Sequence, residues 1–408
     1  MSYIEDVFIA GQDSANFDAF QRLRVSEVTT LIDIKQLHNK QPLLIDEILN
    51  GTATSIHSTD NAATTLETSA ANDYVIRQTF QRANYQSGKS HYILMTFSGL
   101  NTQTNVNKKV GYFSSSTVAP YTADYDGIFL ENDGVNLYIR VYKNGTLTHS
   151  IVQSSWDDPM DGTGESGVNL DFSEMQIFAI DFQWLGAGRI RFYFEIAGQL
   201  VKAHQVLNAN VESQVYMSSP NQPLRWEIRQ SGAGSGRFNQ ICSSVNSEGA
   251  TNLIGKVLSA NSSNNDLQLT SSGTRYCAMG IRLKTTHFDS VIDILNFDYL
   301  AETNDPALWE LVLNPTIGAG TFTYTDVTDA AVQISVGNQT AGTSPTATGG
   351  TTLASGYVSG NGSINVGLDS AIKLGAAIDG TRDEIVLVIT PITAGLDAYV
   401  SYTWRELV

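Results

Sequence analysis

The segment from residue 156 to residue 167, WDDPMDGTGESG, is the stretch of this chain whose side chains most resemble a reactive site. Asp157, Asp158, Asp161 and Glu165 place four carboxylates on one glycine-containing loop. Hard oxygen ligands on a turn could hold Ca²⁺, although the spacing here is not that of an EF-hand loop. Acidic loops are commonly just solvated. The sequence therefore leaves a calcium site and a plain surface loop as alternatives.

The same carboxylates raise the question of catalysis. A glycoside hydrolase needs an acid and a nucleophile about 5 to 10 Å apart across a cleft, and four acids on one exposed loop rarely reach that arrangement. The chain has no GxSxG, P-loop or CxxC motif. Its six histidines show no metal-ligand spacing such as HxxxH, and we interpret His204 as an ordinary strand residue. We therefore expect a protein that is not an enzyme.

Three tyrosines are candidates for a binding surface. Tyr138, Tyr142 and Tyr193 alternate with apolar residues in strand-like stretches, which predicts that they lie on an exposed strand face. Exposed aromatic rings could stack on sugars, or they could form a subunit interface. Tyrosine is enriched at protein interfaces, so the second interpretation is favoured.

The elements that must position these residues centre on residues 175–206. Arg189, Arg191 and Glu195 occupy odd positions there, while the even positions of two runs are large and apolar. A period of two indicates antiparallel strands with one face on a core. The odd-numbered charges are then expected on a solvated or interface face. The apolar positions are Phe178, Ile180, Phe182, Trp184, Ile190, Phe192, Phe194 and Ile196.

The rest of the chain indicates an all-β protein. Charged residues are only 16% of the 408 residues, there are 34 glycines, and β-branched or aromatic runs recur between turn residues. We predict a jelly-roll or lectin-like antiparallel β-sandwich at residues 49–300 and a smaller β-sandwich at 301–408. Residues 1–48 are expected to form an N-terminal arm, or alternatively an edge strand and connector of the main domain. Short helical turns are predicted at 42–49 and from Asp305 through Leu311.

Charge and cysteine content restrict the partners. A net charge of −17 disfavours nucleic acid, which needs clustered Lys and Arg. No apolar run approaches the roughly 20 residues of a membrane span, and the start of the chain does not resemble a signal peptide. We expect a product that is made in the cytoplasm and is not inserted in a membrane. Cys242 and Cys277 could be buried free thiols or a disulfide.

Residues 17–26, FDAFQRLRVS, resemble the opening of a group of virion structural proteins from tailed bacteriophages, notably aquatic ones. These proteins begin with a similar DAFxRLRVS stretch, and the likeness extends over roughly residues 15–300. The ends of such proteins are similar to LASG at 353–356 and TWRE at 403–406, although these motifs are less distinctive. The other matching segments are QPLL at 41–44, VIRQT at 75–79, GKS at 88–90, DGTG at 161–164, WLGAGRIRF at 184–192, LNAN at 207–210 and QIC at 240–242.

The resemblance implies a component of the virus particle, such as a tail fibre, a baseplate part or a head decoration. It carries no catalytic residues. We expect the chain to oligomerise through its β-sandwich faces, with a trimer favoured, and to contact other virion proteins through the arm residues Phe17, Phe20, Arg22 and Arg24. The alternative is a carbohydrate-binding adhesin that recognises host surface glycans at the loops of one sandwich end. A third hypothesis is a glycan hydrolase or lyase that uses the acidic loop.

Overall fold

The computed structural model describes residues 17, 27–250, 254–263, 266–318, 320, 322–337, 344–360, 362–368 and 373–407. The chain divides into two compact units, residues 1–252 and residues 253–408. Throughout the described residues the secondary structure is β-sheet, apart from a three-residue 3₁₀ turn at Gln153–Ser155. The all-β prediction is confirmed. Within that part of the chain, no helix has the length and hydrophobicity that crossing a membrane requires.

The first unit contains fifteen strands within the described residues. They are β1 (Val28–Ile34), β2 (Ile45–Asn50), β3 (Thr54–Ser58), β4 (Ala63–Thr68), β5 (Tyr74–Thr79), β6 (His91–Ser98), β7 (Val106–Ser115), β8 (Asp124–Asn132), β9 (Leu137–Lys143), β10 (Thr146–Val152), β11 (Gln176–Phe182), β12 (Ile190–Ile196), β13 (Gln199–Val206), β14 (Leu224–Gln230) and β15 (Gly236–Glu248).

These strands form two antiparallel sheets. One sheet has eight strands in the order β13-β12-β11-β6-β15-β4-β3, with β1 paired to β15 outside that order. The other has seven strands in the order β10-β9-β8-β7-β14-β5-β2. One apolar core contains Phe178 and Phe192 from the first sheet together with Val110 and Trp226 from the second. Each such side chain contributes about 1.5–3 kcal/mol by leaving water, and the arrangement is the predicted β-sandwich.

The predicted strand pair at residues 175–196 is present as β11 and β12. Phe178 lies opposite Phe194, and Phe182 lies opposite Ile190. Because side chains alternate along a strand, this register places the apolar set on the core side. Ala197 and Gly198 then reverse the chain into β13 with φ of 51° and 84°, the positive values that a tight hairpin turn requires.

The second unit contains thirteen strands within the described residues. They are β16 (Lys256–Asn261), β17 (Leu267–Leu269), β18 (Tyr276–Leu283), β19 (Val291–Ala301), β20 (Ala307–Leu313), β21 (Thr316–Ile317), β22 (Thr325–Asp326), β23 (Val332–Val336), β24 (Ala347–Thr348), β25 (Thr351–Val358), β26 (Ser363–Gly367), β27 (Glu384–Pro391) and β28 (Leu396–Leu407).

The strand pairs of this unit are also antiparallel. A five-stranded sheet has the order β16-β28-β19-β26, with β17 paired to β28, and a six-stranded sheet has the order β22-β23-β18-β27-β20-β25. The small pair β21-β24 completes the set. The core contains Trp309 and Leu387 from the six-stranded sheet and Phe297 and Trp404 from the five-stranded sheet.

The domain boundary predicted near residue 300 differs from the structure, which divides the chain between Asn252 and Leu253. Strands β16 to β19 precede residue 302, yet they pair with β27 and β28 near the end of the chain. The alternation that reveals each strand carries no information about its distant partner. The change in composition after residue 300 therefore marked a place inside the second unit.

Four further local predictions are corrected or refined. The helical turn at 42–49 is largely strand β2, and the helix through Leu311 is strand β20. The predicted arm, residues 1–48, contains strand β1 and most of strand β2 of the first unit, in agreement with the edge-strand alternative. Cys242 and Cys277 are both free thiols, and burial raises the pKa of Cys277 to about 12.

Candidate binding groove

A cavity of about 550 Å³ lies at one end of the first unit. Three connections build its walls: the segment between β6 and β7, the turn between β8 and β9, and the long segment that follows β10. Its volume is within the range of small-molecule sites, about 300–1,000 Å³. The lining residues are Asn101, Thr102, Asn132, Val135, Asn136, Leu137, Val152, Gln153, Ser154, Asp161, Asn169, Leu170, Asp171 and Phe172. We call this feature the groove.

The groove combines hydrogen-bonding side chains with apolar surface. Asn101, Asn136, Gln153 and Asn169 supply amide groups, each of which has both donors and acceptors. Val135 adds an exposed apolar side chain beside them. Amides that can donate and accept in one plane, set beside apolar carbon, are suited to a ligand that carries many hydroxyl groups.

Asn132 at the end of β8 fixes two of the walls. Its Nδ2 donates to the carbonyl oxygen of Leu100 at 3.0 Å and to Oγ1 of Thr102 at 3.1 Å, and its Oδ1 accepts from the Gly134 N–H at 3.0 Å. The side chain is almost completely buried. Because the bonds to Leu100 and Gly134 are buried and the bond to Thr102 is partly buried, Asn132 links the two connections.

Lys108 on β7 supports one of these walls, the segment between β6 and β7, from its buried side. Its ammonium group donates to the carbonyl oxygen of Gly99 and, at 3.0 Å, to that of Asn101. Burial lowers the pKa of Lys108 to about 8. This lysine is directed at backbone carbonyls and does not line the groove.

The turn between β8 and β9 is shaped by Asp133. Its Oδ1 accepts from the N–H groups of Val135 at 2.9 Å and Asn136 at 2.7 Å, which is the local bonding that favours Asp in turns. Gly134 has a φ of 91°, so a side chain at that position would be strained. The turn thereby projects Val135 and Asn136 at the rim of the groove.

The predicted acidic loop forms another wall, and Asp158 is its internal support. Oδ1 accepts from the Met160 N–H at 3.1 Å and Oδ2 from the Ser166 N–H at 2.8 Å. Burial opposes ionisation of Asp158, but these hydrogen bonds outweigh it and lower the pKa. Gly164 packs so closely that a Cβ there would lie 2.0 Å from Oδ1 of Asp158.

Two carboxylates lie at the rim of the groove. The side chain and N–H of Thr163 donate to Asp161, at 2.5 Å and 3.0 Å. Ser173 donates to Asp171 in the same way, at 2.5 Å and 2.9 Å. These bonds lower the pKa of both carboxyl groups. Both are therefore ionised at neutral pH.

The four acids of the candidate calcium loop face different partners. Asp158 is occupied by backbone N–H groups, and Asp157 lies with Oδ1 3.2 Å from Nδ1 of His204. Asp161 bonds Thr163, and Glu165 is exposed. No group of three or more His, Cys, Asp or Glu residues in the described ranges could hold a metal ion.

The three predicted surface tyrosines have different environments. Tyr193 is fully buried, so the prediction that it lies on an exposed face was wrong. Tyr142 is half-buried and stacks on Phe129 with ring centroids 5.8 Å apart. Tyr138 is also half-buried, beneath Arg140 at 4.0 Å, and its hydroxyl accepts from Asn136 at 3.4 Å. Tyr138 thus contacts the groove residue Asn136.

Phe17, the first residue of the FDAFQRLRVS segment, is buried on its own unit. The Arg191 guanidinium donates a hydrogen bond to its carbonyl oxygen and pairs with Asp181. Arg191 is fully buried, which corrects the prediction of a solvated or interface face. Phe20, Arg22 and Arg24 lie outside the described residues, and their docking role stays a prediction.

Sequence reasoning found Asp161 but missed most of the groove. Asn101, Asn136, Gln153 and Asn169 are separated by 16 to 35 positions, and each resembles an ordinary turn residue. The Asp133-Gly134 dipeptide is typical of a hairpin turn, and its sequence gives no sign that the turn forms a wall of a cavity. Only the fold brings these connections together.

The fold and the groove define an antiparallel β-sandwich protein with an open polar cavity at the loops of one sandwich end. No family model matches the sequence. No curated protein matches it either.

Several solved structures of low similarity match the chain. The β-glucanase of Bacillus licheniformis is 12% identical, with 52% of this chain and 97% of that one covered and a TM-score of 0.36. The carbohydrate recognition domain of Emp47p is 12% identical, with coverage of 55% and 98% and a TM-score of 0.35. The VIP36 exoplasmic domain bound to Ca²⁺ and Man3GlcNAc is 10% identical, with coverage of 56% and 92% and a TM-score of 0.36. At this level the likeness carries no information on function.

Proposed function

We propose that this chain is an exterior structural protein of a tailed-bacteriophage particle and that its first unit binds host surface glycan in the groove. The observation that carries the binding function is the groove itself, in which four amide side chains and two carboxylates surround exposed apolar surface. Glycans present dense hydroxyl groups on one side and C–H surface on the other. Such a ligand matches both parts of the lining.

Rigid support strengthens the proposal. Asn132 and Lys108 hold the segment between β6 and β7, and Asn132 also holds the turn between β8 and β9. Asp158 holds the acidic loop through a partly buried hydrogen bond. A site whose walls are already fixed loses less conformational entropy when a ligand binds.

Binding is favoured over catalysis by the behaviour of the rim carboxylates. A glycoside hydrolase needs one carboxyl group whose pKa is raised, so that it keeps a proton to donate. Hydrogen bonds from Thr163 and Ser173 lower the pKa of Asp161 and Asp171 instead. Neither group is prepared to act as a general acid at neutral pH.

The virion assignment is supported by the resemblance of residues 17–26 and 184–192 to tailed-phage structural proteins. These two segments also contact each other, because Arg191 bonds the carbonyl oxygen of Phe17. In such a particle we expect symmetric copies of the chain, with a trimer favoured, in contact with other virion proteins. A host-attachment role would join the structural and the glycan-binding functions in one protein.

A glycan array probed with the purified chain tests the binding function. The Asn136→Ala, Asn169→Ala double variant removes two exposed groove amides, and Asn61→Ala is a matched control because Asn61 is exposed in the turn between β3 and β4. We expect the double variant to lose the array signals and the control to keep them. Equal binding by all three proteins, or none by the unmodified chain, would contradict the proposal.

Electron microscopy of particles labelled with antibodies against the chain tests the virion assignment. Label on the outer surface at regular positions is expected. Purified particles that lack the chain by mass spectrometry would overturn this part of the proposal and leave glycan binding to stand by itself.

A further inference from the structure

The groove carries charge of one sign. Asp161 and Asp171 are the charged side chains among its lining residues, and no Lys, Arg or His lines it in the part of the chain that the structure describes. The buried Lys108 directs its ammonium group to the carbonyl oxygens of Gly99 and Asn101. No described lining residue therefore compensates the two carboxylates.

The two rim carboxylates also stay charged. Each accepts two hydrogen bonds from a Ser or Thr two positions later in sequence, and these bonds stabilise the ionised form. The whole chain has a net charge of −17, so its long-range field has the same sign. An anionic ligand would meet repulsion both on approach and in contact.

We infer that the groove selects glycans without negative charge, and that Asp161 and Asp171 are the residues that determine this selectivity. This inference rests on the proposed glycan-binding function and names its ligand class: neutral sugars and sugars with free amino groups. Uronic acids, sialic acids and phosphorylated sugars are excluded by the same two carboxylates. Sugars with amino groups gain an attractive contact to the rim.

Three β-1,4-linked pentasaccharides of glucose, glucosamine and glucuronic acid form a matched set of probes, because they share a backbone and differ mainly in charge. Isothermal titration calorimetry with the full chain at low salt should show the tightest binding for the glucosamine probe, weaker binding for the glucose probe and the weakest for the glucuronic acid probe. A charge contact near the rim is expected to change affinity by about fivefold or more at low salt. The differences in affinity among the three probes should become smaller as salt is added, because salt screens the charges.

The Asp161→Asn, Asp171→Asn double variant separates charge from shape. Asparagine keeps an oxygen that can accept the hydrogen bonds from Thr163 and Ser173, so the loop should stay folded. We expect the variant to bind the three pentasaccharides about equally. Asp60→Asn, in the exposed turn between β3 and β4, is the matched control and should keep the original ranking.

The outcomes distinguish the two levels of the proposal. If the glucuronic acid probe binds as tightly as the glucose probe, or if the double variant keeps the original ranking, the charge selection is wrong while glycan binding stands. If no member of the set and no glycan on an array binds, the proposed function fails, and the charge selection fails with it.

Discussion

Arg191 donates a hydrogen bond from its guanidinium to the backbone carbonyl oxygen of Phe17, 174 positions earlier in the chain. Both residues are buried, and Asp181 pairs with the same guanidinium. Ser90 donates to the other oxygen of Asp181 at 2.6 Å. A buried ion pair on the outer side of strands β11 and β12 therefore receives the first residue of the segment that resembles phage proteins.

Loss of this ion pair should destabilise the first unit. We expect Arg191→Met to lower its free energy of unfolding by about 3–5 kcal/mol, because the buried Asp181 carboxylate loses the guanidinium that neutralises it. Urea unfolding followed by tryptophan fluorescence measures the change. Arg237→Met is the control, since Arg237 lies 3.8 Å from Glu67 on exposed surface, where a pair contributes about 0–1 kcal/mol. Equal effects of the two substitutions would contradict this account of the pair.

Asp73 should make stability depend on pH in the acid range. Burial disfavours its charge, but hydrogen bonds from Thr52, Ser69 and Ala70 outweigh this and lower the pKa from 3.8 to about 2. The folded-state pKa is the lower one, so the contribution is present above about pH 4 and is lost as the pH falls toward about 2. Solvent at the neighbouring exposed turns screens the Asp73 carboxylate, so we expect its contribution to the free energy of unfolding to be about 1 kcal/mol.

The measurement is the urea midpoint between neutral pH and about pH 2, for the unmodified chain and for Asp73→Asn. The variant should be less stable at neutral pH, and the two curves should converge in acid. Parallel curves over the whole range would show that Asp73 does not contribute in this way.

Asn132 should act on ligand affinity by positioning the groove walls. We expect Asn132→Ala to destabilise the first unit by about 1–3 kcal/mol, because the carbonyl of Leu100 and the N–H of Gly134 lose their buried partner. The variant should also bind glycan more weakly, although the side chain is almost buried. Asn365→Ala, on an exposed pair with Asp298 in the second unit, should change neither property. Unchanged affinity in a correctly folded Asn132→Ala protein would remove the positioning role.

Glycans that bind should not be cleaved. We expect no products by mass spectrometry after prolonged incubation, because neither Asp161 nor Asp171 holds a proton at neutral pH. Cleavage that persists in the Asp161→Asn, Asp171→Asn variant would not depend on the rim carboxylates and would also contradict this prediction. Cleavage that this variant abolishes would show that the rim carboxylates are catalytic.

The strands were predictable where apolar and polar side chains alternate with a period of two residues. β11 and β12 alternate large apolar side chains with polar ones, and their register follows that pattern. The stretch after Asp305 was ambiguous, because an Asp-Pro helix start precedes Ala307, Trp309 and Leu311 at strand spacing. Pairing of β20 with β25 and β27 decides in favour of the strand, and that pairing is not local.

The candidate site was less predictable for a related reason. The alternation of apolar and polar residues placed Arg191 and Tyr193 on the side of the sheet away from the core. It could not show that this side is buried near Phe17. The groove depends on three connections that are distant in sequence. Asn101, Asn136 and Asn169 acquire a common role only when the two sheets close over one core.

A crystal structure of the full chain with the tightest-binding oligosaccharide tests glycan binding in the groove most directly. We predict sugar hydroxyl groups within hydrogen-bonding distance of Asn136 and Asn169, with the sugar's C–H surface on Val135. Sugar bound elsewhere on the chain, with the groove empty, would contradict the account.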